Sequence, residues 1–162
     1  MGLVVAFWIF AVVGILAALG VVLLRNVFRA ALSLILCFLM VAGLYVTLSA
    51  DFLAAVQILV YVGAISVLII LAIMMTREVQ RGNPTNRLQI PAFIVAILFL
   101  EVLVLALINT QWQISSIPPV APTTAALATS LFSEGGFILP VEIAAVLLLS
   151  AILGAIVIAR EK

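Results

Sequence analysis

A chain of 162 residues that is 68% hydrophobic and only 8% charged is not a soluble globular domain, in which about a quarter of residues carry charge; its reference solvent is the lipid bilayer. A net charge of +1 offers no grip on nucleic acid, and none is expected as a partner. With no histidine and one cysteine, Cys37, the usual ligands of zinc, haem and iron–sulfur centres are missing, as are a disulfide, a Cys–His pair and a Ser-His-Asp triad, so no metal site and no catalytic residue is expected.

A spanning helix needs roughly 20 consecutive apolar residues, and five stretches qualify. The first runs from about Leu3 to Leu24, with Phe7 and Trp8 near its outer end. It lacks the basic start of a signal peptide, so it is expected to remain as a helix. After the tight Arg25-Asn26 link, which predicts an antiparallel hairpin, the second runs from about Val27 to Ser49. The third runs from about Phe52 to Thr76, with Asp51 placed to cap it. A polar loop from Thr76 to Arg87 with a Gly-Asn-Pro turn follows. The fourth helix covers about Leu88 to Asn109 and the fifth about Phe137 to Ala159. The outer connection, about 110–136, holds Trp112, Pro118, Pro119, Pro122 and a Thr/Ala/Ser run, and reads as a solvated, surface-lying or partner-covered loop. The expectation is an all-α, polytopic membrane protein with five transmembrane helices, forming a single membrane domain over 1–162.

Basic residues give the orientation. Arg25 and Arg29 flank the first link, Arg77, Arg81 and Arg87 the third, and Arg160 and Lys162 the end of the chain. All seven fall on one side if the N-terminus is outside and the C-terminus cytoplasmic. No internal repeat is visible, which gives an inverted-repeat transporter no support.

Charges inside spans need a reason. Glu101 lies about 11 residues beyond Ile90, roughly 16 Å at helical rise, close to mid-bilayer. It is either a relay carboxylate facing a partner or a structural acid paired with a neighbouring hydroxyl. Glu142 follows Pro140 in the first turns of the fifth helix, where an acid meets the positive end of the helix dipole. Capping or an interface is the simpler role there.

The third helix carries the most polar information: Gln57, Tyr61, Gly63 and Ser66 within one span. As an α-helix, it would align Gln57, Tyr61, Ala64 and Leu68 on one face. Leu59, Gly63, Ser66 and Ile70 would form another stripe, where the small residues permit close approach. Residue types alone favour packing. A local change of backbone register is physically possible at such a site.

The run Ala50-Asp51-Phe52, then Val56-Gln57-Ile58-Leu59-Val60-Tyr61-Val62-Gly63-Ala64-Ile65, closing in Ile73-Met74-Met75, resembles the J (chain 6) subunit family of respiratory complex I, NADH–quinone oxidoreductase. Ala18-Leu19-Gly20 with Arg25-Asn26 is similar to that family's first hairpin, and Leu139-Pro140-Val141-Glu142-Ile143-Ala144 to its last helix. Val27 stands where the family usually has proline, Asp51 replaces a common glutamate, Ser66 a common methionine and Val141 a common phenylalanine. The resemblance implies a membrane-arm subunit of a proton-translocating complex, in the bacterial plasma membrane. Its partners would be the quinone-site subunit, the small K subunit, the antiporter-like subunits and the bilayer. It implies that this subunit binds no cofactor, while the complex uses a quinone and NADH, with FMN and iron–sulfur clusters in other subunits. It also implies that Tyr61, Gly63 and Gln57 line a gate that alternates between α and π forms, with no such role carried to Glu101. The alternative expectation is a structural scaffold subunit of a multi-subunit cation/proton antiporter or related complex.

Overall fold

The computed structural model describes residues 1–76, 88–112, 123–133 and 135–160, and among these the chain is helix, turn and bend without a strand. Among the described residues, five helices are long and apolar enough to cross a bilayer. They run Gly2–Leu23, Val27–Thr47, Asp51–Met75, Gln89–Asn109 and Ile138–Ala159. Arg77, Arg81, Arg87, Pro118, Pro119, Pro122 and Lys162 lie outside the described residues.

The first two helices form the predicted hairpin through close contact of small residues. Ala17, Ala31 and Ala42 are buried along the contact. A Cβ on Gly43 would stand 2.9 Å from the Phe10 ring, and one on Gly20 would stand 3.0 Å from the Ser33 hydroxyl. Lipid tails are as apolar as leucine, so helix pairs in membranes gain from close backbone approach rather than from apolar burial. The turn is fixed by Asn26, whose Oδ1 accepts from the backbone N–H of Phe28 (3.0 Å) and of Arg29 (3.2 Å). This is an N-terminal cap for the second helix.

That helix ends at Thr47, two residues short of the expected Ser49, in a left-handed turn. Ser49 has φ 59°. The Ala50 N–H donates to Tyr45 C=O (2.9 Å) and the Ser49 N–H to Val46 C=O (3.1 Å), which satisfies carbonyls that the helix end would otherwise leave open. The third helix therefore starts at once. Asp51 does not cap it as expected: it is the first helical residue, Ala50 occupies the cap position, and no side chain bonds there. Its carboxylate is left to the helix dipole.

The third helix packs against the second along its length. The fourth is exposed from Ile90 to Asn109, and the fifth has no buried residue. Trp112 closes the fourth helix by donating its ring N–H to Leu107 C=O at 3.0 Å. The outer connection departs from the loop expected there. Thr123–Phe132 is a helix, because its alanines and leucines favour helix more than its threonines oppose it. It packs against the start of the third helix, Asp51–Val56, and against the fifth helix.

Candidate functional site

The third helix is not α throughout. Asp51–Val56 is α, Gln57–Ile65 is a π-helix of nine residues, and Ser66–Met75 is α again. A π turn bonds i to i+5 and is seen mostly as a single-turn bulge, frequently at functional sites. Here it covers Gln57, Tyr61 and Gly63 together.

The wider turn changes which residues face the bundle. Gln57 is 8% exposed and Ser66 2%, and these are the buried polar residues among those described. They stand nine positions apart, about two and a half α turns, so a straight α-helix would point them in opposite directions. The π stretch brings nine residues to roughly two turns and places both on one face. Downstream, Ile70 and Ile73 follow Ser66 at α spacing and are half-buried, and upstream Ala54 is buried. Ile73 and Met74 line a cleft with Asn26, Phe28 and Arg29 at the base of the hairpin. The two packed stripes, out of phase in a continuous α-helix, are aligned by the π segment.

Both faces read from the sequence therefore need correction. Gln57 is buried, but Tyr61 is 42% and Leu68 69% exposed, with Ala64 exposed too. In the second stripe Ser66 is buried while Leu59 and Gly63 are exposed. The cause is the same: α spacing does not hold across Gln57–Ile65.

Phe38 of the second helix receives both candidate residues, and nothing in the sequence marks it among the apolar residues around it. Gln57 Nε2 reaches Phe38 C=O in a long contact of 3.5 Å. The Tyr61 ring meets the Phe38 ring edge-on, with centroids 5.4 Å apart and planes at 68°. Among the described residues Gln57 and Tyr61 do not bond each other, so the polar patch expected between them is a pair of contacts to a common residue. A Cβ on Gly63 would sit 3.4 Å from Ile58 C=O, an ordinary contact, so glycine is not demanded there by space within this chain.

Ser66 closes the π segment. Its backbone N–H and its hydroxyl both donate to Tyr61 C=O, the hydroxyl at 2.6 Å. Glu101 and Glu142 are exposed on the fourth and fifth helices. Neither makes an ion pair or a side-chain hydrogen bond among the described residues, and neither is brought to the Phe38 cluster. Among those residues no group of carboxylates, histidines or thiols could hold a metal ion.

The sequence has relatives over nearly its whole length. The family model for NADH-ubiquinone/plastoquinone oxidoreductase chain 6 matches residues 17–158. F420H2 dehydrogenase subunit J of Methanosarcina mazei is 38% identical over 160 residues, covering 96% of this chain and 90% of that one. NAD(P)H-quinone oxidoreductase chain 6 of Leptolyngbya boryana is 39% identical, covering 98% of this chain and 80% of the relative. The protein of the same name from Synechocystis is 42% identical, covering 97% and 80%. Five apolar spans and matches of this extent lead to one assignment: the chain belongs to the NADH-ubiquinone/plastoquinone oxidoreductase chain 6 family.

Proposed function

We propose that this chain is the part of a quinone oxidoreductase complex whose third helix couples quinone reduction, carried out in other subunits, to proton translocation. The observation that carries the reading is the nine-residue π segment centred on Tyr61 in mid-span. A two-state element needs alternatives within a few kcal/mol of each other. A π stretch flanked by α-helix is such an element, because shifting each N–H from the fifth to the fourth preceding carbonyl converts one form into the other. The exchange rotates the downstream half about the helix axis, and that rotation would open or close a path for water and protons beside Tyr61, Gly63 and Gln57. Glu101 and Glu142 remain candidates for carboxylates facing partner subunits.

The relatives' names support placing this chain away from electron entry. One is named for F420H2 and others for NAD(P)H, yet their identities to this chain are alike. The subunit then binds no cofactor itself; quinone and electron carriers belong to its partners, the quinone-site, K-type and antiporter-like subunits. The basic residues support an N-terminus outside and a cytoplasmic C-terminus.

Tyr61→Phe keeps the ring against Phe38 and removes only the hydroxyl. Gly63→Leu adds bulk on the exposed side of the π segment. Both complexes should assemble, with proton translocation and coupled quinone reduction reduced several-fold per assembled complex. Wild-type pumping in both variants would sink the gating reading, as would lost assembly with unchanged turnover in what remains, the behaviour of a purely structural subunit.

A further inference from the structure

The cleft at the base of the hairpin lies apart from the Phe38 cluster and has a chemistry of its own. It encloses about 280 Å³, with Asn26, Phe28 and Arg29 on one side and Ile73 and Met74 on the other. The first group belongs to the cap and opening turn of the second helix, the other to the last turn of the third, which ends at Met75. Two apolar spans therefore meet the cleft with their ends. That puts it at the level where hydrocarbon gives way to lipid headgroups.

The polar groups of the cleft are donors. Asn26 Oδ1 is used within the chain, accepting from the backbone N–H of Phe28 and of Arg29. The cap thus fixes which end of the amide is which and leaves Nδ2, with its two N–H groups, on the side away from the helix end. It also spends those backbone donors, so the helix terminus itself holds no anion. Arg29 adds a guanidinium, which donates and cannot accept. Among the described residues no acid lines the cleft, and neither Asn26 Nδ2 nor the Arg29 guanidinium meets an acceptor. Phe28, Ile73 and Met74 make the remaining wall hydrocarbon.

A matching ligand carries an anionic head on an apolar body and sits at the bilayer boundary. We infer that this cleft binds an anionic phospholipid, its phosphate on Arg29 and Asn26 Nδ2 and an acyl chain along Phe28, Ile73 and Met74. Basic pockets between spans suit such headgroups, and Arg25 stands in the same link. A zwitterionic lipid offers the same phosphate beside an ammonium group that Arg25 and Arg29 repel. A free phosphate has nothing to place on the apolar wall. The bound lipid ties the end of the third helix to the hairpin, whatever register the middle of that helix takes.

The test is photocrosslinking in the assembled complex, with p-benzoylphenylalanine in place of Met74. The complex is reconstituted into vesicles of phosphatidylcholine and phosphatidylglycerol mixed in known ratio, and mass spectrometry of this chain reads what is attached. Phosphatidylglycerol adducts should exceed their share of the vesicle lipid by roughly fivefold, the order expected from one arginine at a membrane surface. Arg29→Gln should return the adducts to the vesicle ratio, and Arg29→Lys should keep most of the enrichment. Asn26→Asp keeps the cap, because aspartate accepts the same N–H groups, but it removes Nδ2 and adds negative charge. It should abolish the enrichment in a hairpin that still folds, and it carries the test where Arg29→Gln impairs assembly. Wild-type adducts in the vesicle ratio, or adducts to a neighbouring subunit in place of lipid, overturn the inference. So does an enrichment that survives both Arg29→Gln and Asn26→Asp.

Discussion

Ser49 and Asn26 show how single residues set the ends of these helices. Ser49 holds a left-handed φ of 59°, a conformation that costs a residue with a Cβ roughly 1–2 kcal/mol. Ser49→Gly should therefore stabilise the turn between the second and third helices by about 1 kcal/mol. Hydrogen exchange of the Leu48–Ala50 amides in the purified complex should slow about fivefold, since 1.4 kcal/mol corresponds to about tenfold. Asn26→Ala removes the acceptor of two backbone donors and should cost about 1 kcal/mol, read as faster exchange at Phe28 and Arg29. Exchange unchanged in both variants would mean that neighbouring contacts, not the caps, fix these turns. Ser49 offered no sign of its φ in the sequence. The end of the second helix was visible there only to within two residues.

Two elements show what hydrophobic pattern can and cannot reveal. The hairpin was legible because its link is polar and short and its spans are long and apolar. Its contact depends on specific small residues. Gly43→Leu would drive a side chain into the Phe10 ring, whose nearest atoms stand 2.9 Å from the added Cβ. It should cost about 1–3 kcal/mol and lower the yield of assembled complex, with Phe10→Ala restoring part of it. Full yield from Gly43→Leu alone would contradict close packing at this crossing. The third helix was legible as a span and by family likeness, but its faces were not. Reading Gln57 with Leu68, and Ser66 with Leu59, assumes 3.6 residues per turn from end to end. The π segment breaks that assumption inside the stretch being read, and hydropathy cannot report it when the surrounding residues are nearly all apolar. A clue did exist in the nine-residue spacing between the buried polar residues. It becomes meaningful only once their burial is known. Thr123–Phe132 escaped for a different reason: prolines before it and glycines after it mark a loop, while its own alanines and leucines favour helix.

At the scale of the whole molecule, the packing is uneven. The first three helices share a core of small residues, whereas the fourth is exposed from Ile90 to Asn109 and the fifth has no buried residue. A subunit of a larger membrane assembly has reason to be built this way, since the neighbouring subunits supply the surface that its own helices do not. The π segment lies within the three-helix part, braced on the second helix at Phe38. Beside a closely packed hairpin, a change of register in this helix would be a rotation rather than a loss of structure. The most direct measurement is the backbone register of Gln57–Ile65 in the wild-type complex, compared at rest and during steady turnover by single-particle cryo-EM. The expected result is π at rest and a distinct α population that appears during turnover. A π segment unchanged in every particle under both conditions would contradict it.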